Sequence, residues 1–284
     1  MISFFDFLQD LTNPALHFLP RALVGALIAA VLCSLVGVHV VLRGLGFVGD
    51  ALAHAVFPGI AIAFAIGSSI LLGGFVSGII VAIIIALSTH IRRIGADSFI
   101  GIFFAAAFAL GLVIIARVPG YSGSLESFLF GSLTGISDAD IYTTALGSLA
   151  VIIALALIHP SLVSVCVDRE FATSRGTRVI LVDAILYVLI AVTVVVSVHI
   201  VGNILVVALL ITPASTARLF TDNLRVMQCL SPVLGAVCAF FGVYFSWALN
   251  IPTGASIVLV ATTIFLASVA VAPKGVLSRL RGKN

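Results

Sequence analysis

Charge is what this sequence has least of. Asp, Glu, Lys and Arg together make up 9% of 284 residues, against about 25% in soluble domains, while apolar residues reach 62%. So few charges cannot cover the surface of a water-soluble fold this long, which excludes an organisation of one or two soluble domains. Cysteine is scarce as well. Cys33, Cys166, Cys229 and Cys238 show no CxxC or other close metal-type spacing, so they read as small packing residues. HExxH, Walker A, GxSxG and SxxK are all missing, and nothing argues for an intramembrane enzyme. The N-terminal stretch lacks the basic n-region of a signal peptide and carries Asp6 and Asp10 instead, so it reads as a short amphipathic segment before the first span. The net charge of +3 is scattered in short groups rather than clustered, which gives no nucleic-acid surface.

What is abundant is uninterrupted apolar chain. Several stretches of about 18 or more residues carry no charge, enough to cross a bilayer as helix. In hydrocarbon every backbone N–H and C=O must be paired internally, so only helices or closed barrels survive there. Barrel strands alternate apolar and polar, whereas runs such as IVAIIIALS and AVTVVVSV are apolar on all sides. The expectation is an all-α polytopic membrane protein with eight or nine transmembrane helices. The spans fall near 21–42, 47–67, 69–88, 98–116, 138–158, 179–198, 201–220, 228–249 and 254–272, as one transmembrane domain over 1–284. Pro213 in the seventh either breaks it, leaving eight full spans, or is accommodated, leaving nine, the count that the alternation of basic connections supports.

Basic residues recur after every second span: Arg43; Arg92 and Arg93; Arg169, Arg175 and Arg178; Arg218 and Arg225; then Lys274, Arg279, Arg281 and Lys283. The intervening connections hold only Arg117. The positive-inside rule then puts the N-terminus outside and the C-terminus in the cytoplasm. Gly74 and Gly78, and Ala105 and Ala109, are small residues four apart that would let helices approach closely.

Ionisable groups within spans are costly, so each is a functional candidate: His39, Asp50, His54, Asp183 and His199. Asp50 and His54 stand four apart in GDALAHAVFPG and share a helix face. An oxygen and a nitrogen donor together suit Mn²⁺, Fe²⁺ or Zn²⁺ better than Ca²⁺ or Mg²⁺. Pro58 and Gly59 would kink the helix just beyond. The same spacing also fits Asp50 as a helix cap and His54 as a bond to a neighbouring helix. His199 and His39 read as structural, Asp183 as an interfacial ion pair with Arg178, and His17, His90 and His159 as solvated edge residues. The stretch 159–178 is the longest basic-side connection, and DREFATSRG within it has a short helical pattern ended by Gly176.

LRGLGFVGDALAHAVFPGIAIAF (42–64) and VGNILVVALLITPASTARL (201–219) resemble the two signatures of the manganese/zinc/iron ABC transporter permeases. DREFATSRG (168–176) is similar to the coupling segment of that family and of cobalamin and siderophore permeases, and SLESFLFGSL (124–133) to its extracellular connection. The resemblance implies the type II ABC importer permease fold in a bacterial inner membrane, as a homodimer or a heterodimer with a paralogue. Two cytoplasmic ATP-binding subunits would dock on the coupling segment through Asp168, Glu170, Phe171, Ala172 and Gly176. An extracytoplasmic metal-binding protein would deliver the ion. Asp50 and His54 match the motif residues on the metal path, as a central site or an inner gate. His199 is a further candidate ligand, at a position where the family more often has glutamine. No cofactor is expected to be held permanently; the divalent metal, Mn²⁺ or else Zn²⁺ or Fe²⁺, is cargo. A secondary metal-ion carrier is the alternative from a different class, although no internal repeat supports it.

Overall fold

The structure, a computed structural model, describes residues 3–88, 96–118 and 135–272. Those residues form helices and no strand, and nine stretches among them are long and apolar enough to cross a membrane. In chain order the helices are α1 (Phe4–Asp10), α2 (Phe18–Leu42), α3 (Gly46–Ala55), α4 (Phe57–Ala65), α5 (Ile70–Ser88) and α6 (Ala96–Ile115). Then come α7 (Asp138–Val167), α8 (Arg169–Ser174), α9 (Val179–Val201), α10 (Asn203–Phe220), α11 (Leu224–Leu249) and α12 (Thr253–Val271). The chain is a multi-pass membrane protein. The 124–133 stretch and the basic residues at 92, 93 and beyond 272 lie outside the described residues.

The described residues gather into two compact units. One takes those up to Val41, those within Leu125–Leu146 and those from Ser197 onward; the other takes those within Leu42–Ser124 and Gly147–Val196.

In the first unit small residues and hydroxyls do the joining. Gly37 of α2 lies so close to the Leu210 carbonyl of α10 that no side chain fits between them. Ser231 of α11 donates to the Ser34 carbonyl at 2.7 Å. Of the two alternatives at Pro213, the unbroken one is found: one helix, α10, runs from Asn203 to Phe220. Proline has no N–H for the carbonyl four residues earlier, and Ser34 of α2 supplies a donor to that carbonyl, Leu209 O, at 3.4 Å. His39 faces Gln228 within the same unit at 3.4 Å.

The amphipathic start is α1, opened by a Ser3–Asp6 capping box. Phe7 is fully buried, with its ring 5.4 Å from that of Tyr244, and Trp247 Nε1 donates to Asp10 at 2.8 Å.

In the second unit glycines set the spacing. Gly59 of α4 and Gly73 of α5 meet backbone to backbone, and Gly74 and Gly78 face Ile60, Val56 and α9. Ala105 and Ala109 are exposed and make no comparable seam among the described residues. The break expected near Pro58 is present, at Val56 between α3 and α4. The fifth span outruns its expected end: α7 continues through Pro160 to Val167, so the segment taken as loop from 159 begins only at Asp168.

Candidate metal site and coupling segment

The sequence forces a turn just before the candidate pair. Arg43, Gly44 and Leu45 end α2 and lead into α3, with Gly44 at φ +69°, in the left-handed region that glycine adopts without strain. α3 then presents Asp50 and His54 on successive turns, with His54 Nε2 3.6 Å from Asp50 Oδ1. Both side chains are half-buried. The imidazole is held edge-on by Phe104 and Phe108 of α6, whose ring centres lie 5.1 and 5.2 Å away. Asp50 therefore does not simply cap the helix, since α3 begins four residues before it.

The helix ends one residue past His54. Pro58 supplies no N–H to continue the ladder, and the Ser77 hydroxyl of α5 donates to the Ala55 carbonyl at 3.2 Å. Phe57 packs against α6 where Gly111 leaves room for its ring. Two donors bound to one metal at about 2.0–2.2 Å each are roughly 3–3.5 Å apart. A separation of 3.6 Å needs little adjustment to chelate one ion. No three side chains of His, Cys, Asp or Glu cluster among the described residues, so as a candidate site this pair offers two donors and no third.

His199, at the last turn of α9, lies 3.4 Å from Asp140 in the first turn of α7. Sequence reasoning passed over Asp140, and the only available signal was its place beside Asp138 at a span end. Asp183 does form an ion pair, but with Arg43 and Arg169 instead of Arg178. Arg178 is five positions away, off the face that Asp183 presents. Among the cysteines, Cys33 and Cys238 are buried as packing residues, while Cys166 and Cys229 are exposed.

The candidate coupling segment folds as α8. Asp168 caps it by accepting from Glu170 N and Phe171 N at 2.9 Å each. Gly176, at φ +83°, closes it: Thr177 N donates to Ala172 O and Gly176 N to Thr173 O, a Schellman end. Ala172 is fully buried and anchors the helix, which leaves Glu170 and Phe171 exposed. Capped at both ends and held by buried Ala172 and the Arg169–Asp183 ion pair, α8 is a preformed knob.

A family model described as the ABC 3 transport family matches residues 15–272. The chain belongs to that family. It is 39% identical over 269 residues to MntC of Halalkalibacterium halodurans, named a manganese transport system membrane protein, covering 94% of this chain and 92% of the relative. It is 33% identical to YfeC of Yersinia pestis, named a chelated iron transport system membrane protein, over 91% of this chain and 87% of that one. Its backbone matches that of a chain in the solved structure of PsaBC from Streptococcus pneumoniae in complex with Fab at a TM-score of 0.88, with 34% identity over 99% of this chain and 100% of that chain. Membership in the ABC 3 family makes the chain a transmembrane permease subunit and not an enzyme, with ATP hydrolysed on a separate subunit. It also sets aside the secondary carrier.

Proposed function

We propose that this permease forms the pore of an ATP-driven importer of a divalent transition metal, with Mn²⁺ as cargo and Fe²⁺ or Zn²⁺ as alternatives. The observation that carries the proposal is the Asp50–His54 pair, poised at 3.6 Å beside the break between α3 and α4. An ion leaving water must be offered replacement ligands, and aliphatic walls offer none. A mixed oxygen–nitrogen set selects transition metals by ligand preference. The name of the Halalkalibacterium relative favours manganese, and that of the Yersinia relative keeps iron in view.

In this reading Asp50 and His54 bind the ion as central site or inner gate, and water or a second permease copy completes its coordination. His199 with Asp140 is a secondary carboxylate–imidazole pair, assigned to the outer rim. The pore is a homodimer, or a heterodimer with a paralogue, in a bacterial inner membrane with the N-terminus outside and the C-terminus in the cytoplasm. Two ATP-binding subunits dock on α8, through Glu170 and Phe171 on a scaffold set by Asp168, Ala172 and Gly176. An extracytoplasmic binding protein hands over the metal.

Mass-tagged Mn²⁺, Fe²⁺ and Zn²⁺ offered to proteoliposomes holding the complete complex test the reading. ATP-dependent, saturable Mn²⁺ uptake, with Mg²⁺ and Ca²⁺ ignored, is expected. ATP hydrolysis without uptake of any of the three would refute it.

A further inference from the structure

One buried carboxylate in the second unit is shared by two guanidinium groups. Asp183, in the second turn of α9, is 3% exposed. Its Oδ1 accepts from Arg43 at 2.5 Å, and its Oδ2 accepts from Arg169. Arg43 is itself almost covered and also donates to Leu162 O of α7 at 3.3 Å. Arg169 is the outlying member, with 55% of its side chain exposed.

Stability alone is a poor reason for this arrangement. Desolvating buried charges costs several kcal/mol per ion, and well-packed apolar side chains of similar volume stabilise as well or better. What the triad does that apolar packing cannot is fix the relative position of two short elements. Arg169 is the first residue of α8. Arg43 begins the three-residue turn into α3, the ten-residue helix that bears Asp50 and His54. Asp183 grips one with each oxygen. A displacement of α8 must therefore either move Asp183 and Arg43 with it or strip the buried Asp183 Oδ2 of its charged partner, which is unfavourable.

We propose that Arg43, Asp183 and Arg169 are the link through which movement of α8 reaches α3 and its metal pair. Asp183 is a positioning residue, touching neither ion nor nucleotide. The inference rests on the proposed import function and on docking of the ATPase at α8.

The test uses the complete complex in proteoliposomes, measuring ATP hydrolysed per Mn²⁺ imported. Asp183→Asn and Arg169→Gln should each raise that ratio about tenfold, the scale of a typical coupling free energy. The double variant should be no worse than either single, because both cut the same link. A merely structural role would lower the amount of complex without moving the ratio. A second readout is a cysteine replacing Phe47, exposed on α3, in a cysteine-free background. Its labelling should differ with and without ATP in the parent and lose that difference in Arg169→Gln, which alters only the exposed member and keeps the fold. Should Asp183→Asn not assemble, Arg169→Gln alone decides. Parent-like ratio and parent-like nucleotide-dependent labelling in Arg169→Gln overturn the link while the import reading stands; a parent complex that imports no transition metal overturns the import reading instead.

Discussion

His54 Nε2 stands 3.6 Å from Asp50 Oδ1, one turn further along α3 and clasped edge-on by Phe104 and Phe108. The two phenyl rings limit where the imidazole can turn, so its nitrogen stays within chelating reach of the carboxylate. Asp50→Asn removes the anionic donor and keeps the shape; His54→Ala removes the nitrogen donor. Each is expected to cut metal uptake by about tenfold or more, because losses in and around a ligand set cost roughly 10–100-fold in affinity. Membrane expression should stay near that of the parent, since neither change strands a buried charge. Parent uptake rates in both variants would make the pair structural and send the ion by another route.

A second expectation separates two glycines. In α2, a methyl group on Gly37 would overlap the Leu210 carbonyl, and backbone has nowhere to go. Gly37→Ala should therefore destabilise by about 1–3 kcal/mol or more, as overpacking does. In α6, a methyl on Gly101 would meet nothing nearer than Phe47 at 3.8 Å. There Gly101→Ala should be neutral or stabilising, since alanine gains roughly 0.5–1 kcal/mol over glycine inside a helix. Melting temperatures in detergent compare them, and equal effects would mean that the α2–α10 contact is looser than described.

Much of this fold was legible because a bilayer-spanning helix announces itself locally. Apolar length fixed the nine spans to within a few residues at most ends, and the four-residue spacing of Asp50 and His54 put them on one face. What failed to read through was whatever depended on a distant residue. Asp183 suggested Arg178 because it was near in sequence, yet its partners are Arg43 and Arg169, 140 and 14 positions away. Pro213 left a break open because the donor that replaces its missing N–H, Ser34, sits 175 positions from Leu209 on another helix. His159 and Pro160 looked like loop, but α7 absorbs them. The Asp140–His199 pair stayed hidden for the same reason.

Orientation gives a third expectation. Arg43 and the basic residues around α8 belong to the arginine-rich connections, which the positive-inside rule places in the cytoplasm. Asp138 and Asp140 open α7 at the other end of its span. In a cysteine-free background, Ser174→Cys and Ala139→Cys, both at exposed positions, should label from opposite sides of intact cells. Ala139→Cys should react from outside. Reaction of both from outside would invert the assignment of α8 to the ATPase side.

Phe171 is 54% exposed, and the Arg175 guanidinium lies 5.5 Å from its ring centre. An aromatic ring displayed on a six-residue helix that is capped at both ends is poorly explained by the fold of this chain, because Ala172 and the Arg169–Asp183 ion pair do the anchoring. Its neighbour Glu170 is exposed too, so the tip of α8 offers one apolar and one anionic group side by side. Such a tip suits a cleft in a partner with a matching cation. Replacing Glu170 and Phe171 together by Ala should leave the permease folded and inserted, as surface changes away from packing usually stay within about 0.5 kcal/mol. Transport should nonetheless fail, with ATP hydrolysis no longer responding to delivered metal. The measurement is ATPase stimulation beside uptake in the same proteoliposomes, with co-purification of the ATP-binding subunit as a third readout. Lost stimulation with the subunit still bound would place the defect in transmission, whereas loss of the subunit itself would place it in docking; both outcomes keep α8 as the coupling element. A double variant that transports normally and keeps its stimulation would remove α8 from that role.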